Sequence, residues 1–368
     1  MKRELALALN SLFYDSPRRS RQYYDVFESV AELTSAKGML INEIQGKYQP
    51  VVKRRWDALN IDRLQNRLDT LGVMVLDLNS PHYPILMREL NDAPVVIYVK
   101  GRTDIFSKDW MSVVGTRAMT DYGQRIAAEI TMGLCPYFGI VSGLAVGIDT
   151  VVHRTALAQQ ATTVAILGTA IDRIYPADNM GLAERICEDG AIMSEYPPGA
   201  LSQPYHFPQR NRLISAMSRG VVVVEAQLKS GALSTASHAI SQNRELFVVP
   251  GPIDSVASAG CNQLIRQGAL CVTQVADILN EYAYLPKVPR ARTPSRSPAA
   301  QDMVDLSAMT DHERAIWDQV SVSPKTIDDL VAVSGISVPI VLSVLTIFEL
   351  KGWIQQLPGN RYSSVLAG

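Results

Sequence analysis

Six short runs of aliphatic and β-branched residues between residues 95 and 251 constrain the fold of this 368-residue chain most strongly. Helix-like stretches separate most of these runs, and most runs end in glycine or a small polar residue. Continuous apolar strands that alternate with helices are typical of a mainly parallel sheet covered on both faces. We therefore predict an α/β fold. The runs are VVIYV (95–99), MSVVG (111–115), GIVSG (139–143), TVAILG (163–168), GVVVVEA (220–226) and ELFVVPG (245–251).

Composition and patterning divide the chain into four predicted segments. A small helical N-terminal domain precedes the sheet-bearing core, and a linker rich in proline and arginine separates the core from the tail. The segments are 1–65, 66–285, 286–305 and 306–368.

The tail, 306–368, reads as three helices followed by two short strands around Pro358 and Gly359. This order is typical of a winged helix, which is a helix-turn-helix variant. Its third helix, VPIVLSVLTIFELK, has almost no side chain suited to contacts with base edges or phosphates. We therefore predict that the tail, although it has the order of a helix-turn-helix variant, does not bind DNA.

Charge and cysteine usage exclude several classes of protein. The formal net charge is −1, and residues 66–285 carry 16 basic against 20 acidic side chains, so an anion site must be local. The four cysteines are far apart and the five histidines do not cluster. We therefore expect reduced thiols in a cytoplasmic protein, with no metal and no cofactor. No apolar run reaches the length of a membrane span, so we predict no membrane association.

Two loops that follow predicted strands carry features of an anion site. Gly115, Thr116 and Arg117 come between the second run and a helix, where backbone N–H groups and the positive end of the helix dipole face a ligand. Lys229, Ser230 and Gly231 repeat the combination after the fifth run. Because ligands of such sheets bind beyond the carboxyl ends of the strands, we expect these loops to converge.

The stretch HFPQRNRLIS, 206–215, places an aromatic ring beside cations in a bend before a helix. Arg210 and Arg212 could simply solvate the helix start, and Phe207 could belong to the core. Together with the two loops, however, the stretch combines cations, amides and a stacking ring, which is how proteins bind single-stranded nucleic acid. We predict that Phe207, Arg210, Asn211 and Arg212 contact such a ligand.

Two further loops are interpreted as structural. Asp149 and His153 are four residues apart and share a helix face, but a capping aspartate and a structural histidine are favoured over an acid–base pair. The stretch AILGTAIDRIYPADN, 165–179, contains Asp172 and Tyr175 and is interpreted as simple loop structure.

In this order, the motifs resemble those of the DNA-processing protein A family (DprA, also called Smf) from about Tyr83 to Ile278. The resemblance implies an extended Rossmann-like fold, a homodimer, single-stranded DNA binding and loading of the RecA recombinase during natural transformation. It implies that Arg117 is the family's phosphate-binding arginine and that Lys229 lies at the basic position before the S-G turn. It also implies that Phe207 and Arg210 are the family's base-contacting aromatic residue and cation. The matching stretches are Gly115-Thr116-Arg117, SGLAVGID, LGTAIDRIYPADN, SEYPPG, FPQRNRLIS, VVVVEA with SGALSTA, and VVPGPID with AGCNQLIRQGA.

Departures from the family pattern are mild. SGALST replaces the more usual S-G-S-L-I-T, and the N-terminal segment has no clear helix-hairpin-helix glycine signature, so its role is open.

The main alternative is a nucleotide-binding enzyme of the related phosphoribohydrolase-like fold. Those enzymes carry a P-G-G-x-G-T loop with a glutamate shortly after it, whereas SGALSTASHAIS has one glycine and no carboxylate. The remaining candidate acids, Glu195 and Glu225, stand at strand ends, where structural roles are common. A dinucleotide oxidoreductase is disfavoured because no G-x-G-x-x-G follows the first strand. We predict that the protein is not an enzyme, and a mononucleotide sensor remains open.

Overall fold

A computed structural model describes residues 2–44, 46–286, 288, 309–321, 325–351, 353–357 and 361–364. The chain divides into two compact units, Met1–Ala291 and Arg292–Gly368. Apart from residues 286 and 288, the predicted linker at 286–305 lies outside the described residues, as does the predicted turn at Pro358 and Gly359.

The first unit contains a nine-stranded sheet in the part of the chain that the structure describes. Its strand order is β1-β2-β6-β5-β4-β3-β7-β8-β9. The strands from β3 to β9 pair in parallel, whereas β2 pairs antiparallel with both β1 and β6. The strands are β1 Met74–Asp77, β2 Val96–Gly101, β3 Trp110–Val114, β4 Gly139–Ser142, β5 Thr163–Leu167, β6 Ala191–Ser194, β7 Gly220–Val223, β8 Glu245–Val248 and β9 Leu270–Cys271.

The predicted α/β fold with a mainly parallel sheet is confirmed, and each of the six apolar runs overlaps a strand. Strands β1, β6 and β9 were not predicted. The residues of β6, AIMS, include only one β-branched side chain, and β9 has two residues, so neither shows the apolar run that marks the other strands.

Helices cover the sheet, and α1 to α6 precede all of its strands in the sequence. Helix α1 is buried nearly all round, and its leucines share one core with strands of the sheet. The predicted domain boundary at residue 65 falls within α6. The helices are α1 Lys2–Phe13, α2 Pro17–Val26, α3 Val30–Ser35, α4 Lys37–Glu43, α5 Gln49–Asp57, α6 Ile61–Thr70, α7 Ile85–Arg88, α8 Asp121–Leu134, α9 Ile148–Ala158, α10 Met180–Asp189, α11 His206–Ala216, α12 Ala232–Ser241, α13 Ala259–Arg266 and α14 Val275–Glu281.

The strand order reverses at β3. Strands β4, β5 and β6 extend the sheet on one side of β3, and the chain then crosses to the other side for β7, β8 and β9. The neighbouring strands β3 and β7 are therefore followed by connections that lead to opposite sides, from β3 to β4 and from β7 to β8, which opens a crevice between their carboxyl ends.

The second unit has the order of a winged helix, and its three helices and final strand pair match the prediction. Side chains from all three helices form its core, including Trp317, Leu330 and Phe348. No single helix among the described residues is long and apolar enough to cross a membrane, and one bent pair, α16 with α17, passes by length and composition alone. The elements are α15 Asp311–Val320, β10 Lys325–Thr326, α16 Ile327–Ser334, α17 Val338–Leu350, β11 Ile354–Leu357 and β12 Arg361–Ser364.

Candidate nucleic-acid interface

A cleft of about 800 Å³ lies at the crevice beyond the strands. Its walls come from the loops after β3, β4, β5 and β7, from residues 202–204 and from α11. All the predicted site residues except Arg212 line it: Gly115, Thr116, Arg117, Phe207, Arg210, Asn211, Lys229, Ser230 and Gly231.

The helical period of α11 explains which residues of HFPQRNRLIS face the cleft. The helix begins at His206, several residues before the predicted start, and Pro208 fits its first turn because the N–H groups there have no intrahelical partner. Phe207, Arg210, Asn211 and Ile214 follow the spacing i, i+3, i+4, i+7 and form one face, which lines the cleft.

Arg212 lies on the other side of α11, in a buried ion pair. One of its terminal nitrogens donates to both carboxylate oxygens of Glu195 at 2.7 Å, and its Nε lies 3.4 Å from Asp92. Arg212 is 5% exposed. Burial raises the pKa of Glu195 to about 7, and the guanidinium of Arg212 opposes that rise.

Arg210 forms the floor of the cleft and is 4% exposed. Its Nη1 donates to the carbonyl oxygens of Gly143, at 2.8 Å, and Ile166. Burial lowers the pKa of Arg210 to about 10, so the guanidinium remains charged at neutral pH, and Asp149 supports that charge. Asp149 accepts from the backbone N–H groups of Gly143 and Ala145 at 3.2 and 3.3 Å, and burial raises its pKa against the effect of Arg210.

Three exposed cations surround the mouth of the cleft: Arg117, Arg173 and Lys229. They come from the loops after β3, β5 and β7, so they approach one ligand volume from separate elements. The amide of Asn211 holds the third of these loops by donating to Ser234 Oγ at 3.0 Å and to the Gly231 carbonyl at 3.2 Å. The cleft is therefore cationic although the core as a whole is not.

Two aromatic rings stand beside these cations. Phe207 is half-buried, and a Cβ placed on Gly168 would come within 2.7 Å of its ring, so the ring lies against that backbone. The exposed ring of Tyr175 lies 5.6 Å from that of Phe207, centroid to centroid, at 56°. The Arg117 guanidinium is 5.6 Å from the Phe207 centroid. A planar base therefore has aromatic and guanidinium surfaces available for stacking.

The loop after β3 is fixed by its neighbours. Thr116 donates its backbone N–H to the Glu225 carbonyl at 2.7 Å, and its own carbonyl accepts from Ile148 at 3.2 Å. Gly147 has φ +83°, and a Cβ there would lie 2.4 Å from the Thr116 oxygen, so this close approach requires glycine. Arg117 thus projects from a rigid support.

The candidate acids and bases of an enzyme are engaged in structural contacts. Glu225 accepts from the backbone N–H and hydroxyl of Thr120 at 2.9 and 2.8 Å, and Glu195 is paired with Arg212. His153 is fully buried against Thr163 at 2.8 Å, and burial lowers its pKa to about 3. Among the residues that line the cleft, Asp149 is the single carboxylate.

Sequence reasoning left out Arg173 and Tyr175, which were interpreted as simple loop structure. The signal was available, because their loop follows a predicted parallel strand and must reach the same edge of the sheet as the loops that were selected.

The sheet and cleft make this chain a Rossmann-like protein, with a winged helix in its second unit. A family model described as DNA recombination-mediator protein A matches residues 74–283, more than half of the chain. A model of the DprA winged helix domain matches residues 292–360. The chain therefore belongs to the DNA recombination-mediator protein A family, as its motifs predicted.

Known proteins agree with this assignment. The chain is 31% identical to the Smf protein of Synechocystis over 94% of both chains. It is 41% identical to the DNA processing protein DprA of Streptococcus pneumoniae over 55% of this chain and 72% of that one.

Two solved structures share the fold. DNA processing protein A from Streptococcus pneumoniae matches with a TM-score of 0.60 and 35% identity over 66% of this chain and 86% of that one. The same protein from Helicobacter pylori, described for its single-stranded DNA binding mode, matches with a TM-score of 0.53 and 29% identity over 58% of this chain and 96% of that one.

Proposed function

We propose that this protein binds single-stranded DNA in the cleft at the carboxyl ends of the strands. The observation that carries the proposal is the convergence of Arg117, Arg173 and Lys229 on a cleft that also presents Phe207 and Tyr175. Cations match backbone phosphates, and aromatic rings stack on bases of any sequence. The Helicobacter pylori relative, whose structure is described by its single-stranded DNA binding, supports the same ligand.

The preference for single strands follows from the stacking surfaces. A ring can stack on a base only when the base is out of a duplex stack, so Phe207 and Tyr175 favour an unpaired strand. A free mononucleotide offers one base and one phosphate group, whereas the cations of the mouth come from three separate loops. A strand with several phosphates can contact all three cations at once, and a mononucleotide cannot.

We propose binding without catalysis. Cleavage of a glycosidic bond needs a positioned carboxyl group or nucleophile at the reacting carbon. Asp149 is 7% exposed and faces Arg210, while the side chains of Glu195 and Glu225 are held away from the cleft lining.

In the cell, we propose that the bound strand is protected and passed to the RecA recombinase during natural transformation, in the cytoplasm and as a homodimer. Membership in the family of recombination mediators supports this role. The four cysteines are free thiols, which supports a reducing compartment.

The test is a fluorescence anisotropy titration with a labelled oligonucleotide, in competition with unlabelled single strand, blunt duplex and mononucleotide. We expect the single strand to compete well and the other two poorly. Equal competition by duplex, or displacement by mononucleotide at similar concentration, would refute the proposal.

A further inference from the structure

The N-terminal helices reach the cleft through a buried contact with the start of α11. The His206 ring lies between two partners: its Nε2 is 2.8 Å from an Asp15 carboxylate oxygen, and its Nδ1 is 3.2 Å from the Gln203 backbone nitrogen. Arg55 of α5 pairs with the same carboxylate. Burial alone would raise the pKa of Asp15, but the bonds from His206 and Arg55 hold it below its usual value. Phe207 is the next residue, so this contact stands directly behind the cleft.

A second contact lies on the loop after β5. Arg67 of α6 donates to Asp172 at 2.7 Å, and Asp172 also accepts from the backbone of Gly199 at 3.0 Å. Asp172 precedes Arg173, a cation of the cleft mouth. The N-terminal helices therefore adjoin the cleft at two places. The segment from Gly199 to Tyr205 runs between these two contacts, and we call it the rim.

Two exposed tyrosines lie where this rim meets the helices. Tyr205 is 45% exposed, directly follows the cleft-lining residues 202–204 and donates to Asp15 at 3.2 Å. Tyr48, at the start of α5, is 40% exposed and lies near enough to Tyr205 to contribute to the rise in its pKa. Arg55 follows Tyr48 by seven residues, or about two helical turns, so both lie on one face of α5. Arg54, which precedes Arg55, is exposed.

We propose that a DNA strand leaving the cleft continues over Tyr205 and Tyr48 onto the basic flank of α5, which makes the N-terminal helices a second part of the interface. This inference rests on the proposed function of the cleft. Residues 1–65 carry 11 basic and 8 acidic side chains, whereas the core carries 16 and 20, so the backbone of a strand is attracted to this flank. Rings interleaved with cations form a track for unpaired bases.

The experiment compares two oligonucleotide lengths against the full chain. The shorter strand has about four nucleotides, so that it can occupy the cleft without reaching α5, and the longer strand has about sixteen, so that it can extend beyond the cleft. These lengths span the site sizes of single-strand-binding OB folds. The double variant Tyr48→Ala/Arg54→Glu should bind the longer strand about five-fold or more weakly, as loss of one stacked base implies, and bind the shorter strand like the wild type. The matched control is Tyr284→Ala/Arg185→Glu, which changes the same residue types, both exposed, away from the cleft lining.

Photo-crosslinking of the wild type provides a measurement that does not depend on any variant folding. Bromodeoxyuridine placed stepwise along the longer strand should crosslink to the peptide that contains Tyr48 at positions beyond those that crosslink to the peptide that carries both Tyr205 and Phe207. Crosslinks confined to the cleft peptides, or equal affinity of the double variant and the wild type for the longer strand, would overturn the inference. If Phe207→Ala changed neither affinity, the cleft itself would fail and this inference with it.

Discussion

Replacement of Arg212 by methionine tests whether this residue of α11 stabilises the fold, whereas its neighbours on the helix face the ligand. The substitution removes the guanidinium that donates twice to Glu195 and leaves that carboxyl group buried without its partner. Loss of one member of a buried ion pair costs about 3–5 kcal/mol, a large share of the roughly 5–15 kcal/mol that keeps a protein folded. We expect urea denaturation to show this loss, while the protein that remains folded binds single strands within about three-fold of the wild type.

The pH dependence of the stability of Arg212→Met follows from the pKa of Glu195. Burial already raises that pKa to about 7, and removal of Arg212 raises it further. Because the pKa of Glu195 is higher in the folded protein than in the unfolded chain, the folded protein binds this proton more tightly. The free energy of unfolding therefore falls as pH rises and the proton is lost. The destabilisation by Arg212→Met should therefore widen between about pH 7 and pH 9.

The double variant Arg212→Met/Glu195→Leu is the control, because an apolar pair of similar volume often replaces a buried ion pair without loss. It should recover most of the stability. Tenfold weaker DNA binding by Arg212→Met at an unchanged urea midpoint would contradict this reasoning and return Arg212 to the interface.

Three other predictions concern the cleft, its support and the tail. Phe207→Ala should weaken single-strand binding by about 1–3 kcal/mol without changing the salt dependence, since it removes stacking and no charge; an unchanged affinity in anisotropy titrations would exclude stacking. Asp15→Asn should destabilise the protein in urea at neutral pH, and the difference from the wild type should shrink as pH falls below about 4, because a lowered carboxyl pKa stabilises only the ionised form. A chain ending at residue 291 keeps the whole first unit and should bind single strands within a few-fold of the full chain, whereas loss of most binding with intact circular dichroism would move the site to the tail.

The sequence predicted the parallel sheet and most of the cleft because both depend on local signals. Apolar runs mark the strands, and parallel strands bring the loops that follow them to one edge, so Gly115 and Lys229 could be grouped although they are far apart in the chain. The position of Arg212 could not be found in this way. The prediction placed this stretch in a bend before a helix, whereas the helix begins at His206. Because Arg210 and Arg212 both belong to the helix, its period places them on different faces.

The contacts of the N-terminal helices were not predictable for another reason. Asp15 meets His206 across 191 positions of sequence, and Arg67 meets Asp172 across 105. No local pattern encodes such pairings, since they arise only when the helices and the sheet share one core.

The salt dependence of single-strand binding measures directly whether the cations of the cleft mouth contact backbone phosphates. Three exposed cations at the cleft mouth, each neutralising one phosphate, give a slope of about −2 for log affinity against log salt, from roughly −0.7 per phosphate. We expect this slope for a short single strand, a shallower slope for Arg117→Glu and much weaker binding of blunt duplex. A slope near zero, or a slope that Arg117→Glu leaves unchanged, would contradict a cleft that binds the phosphate backbone.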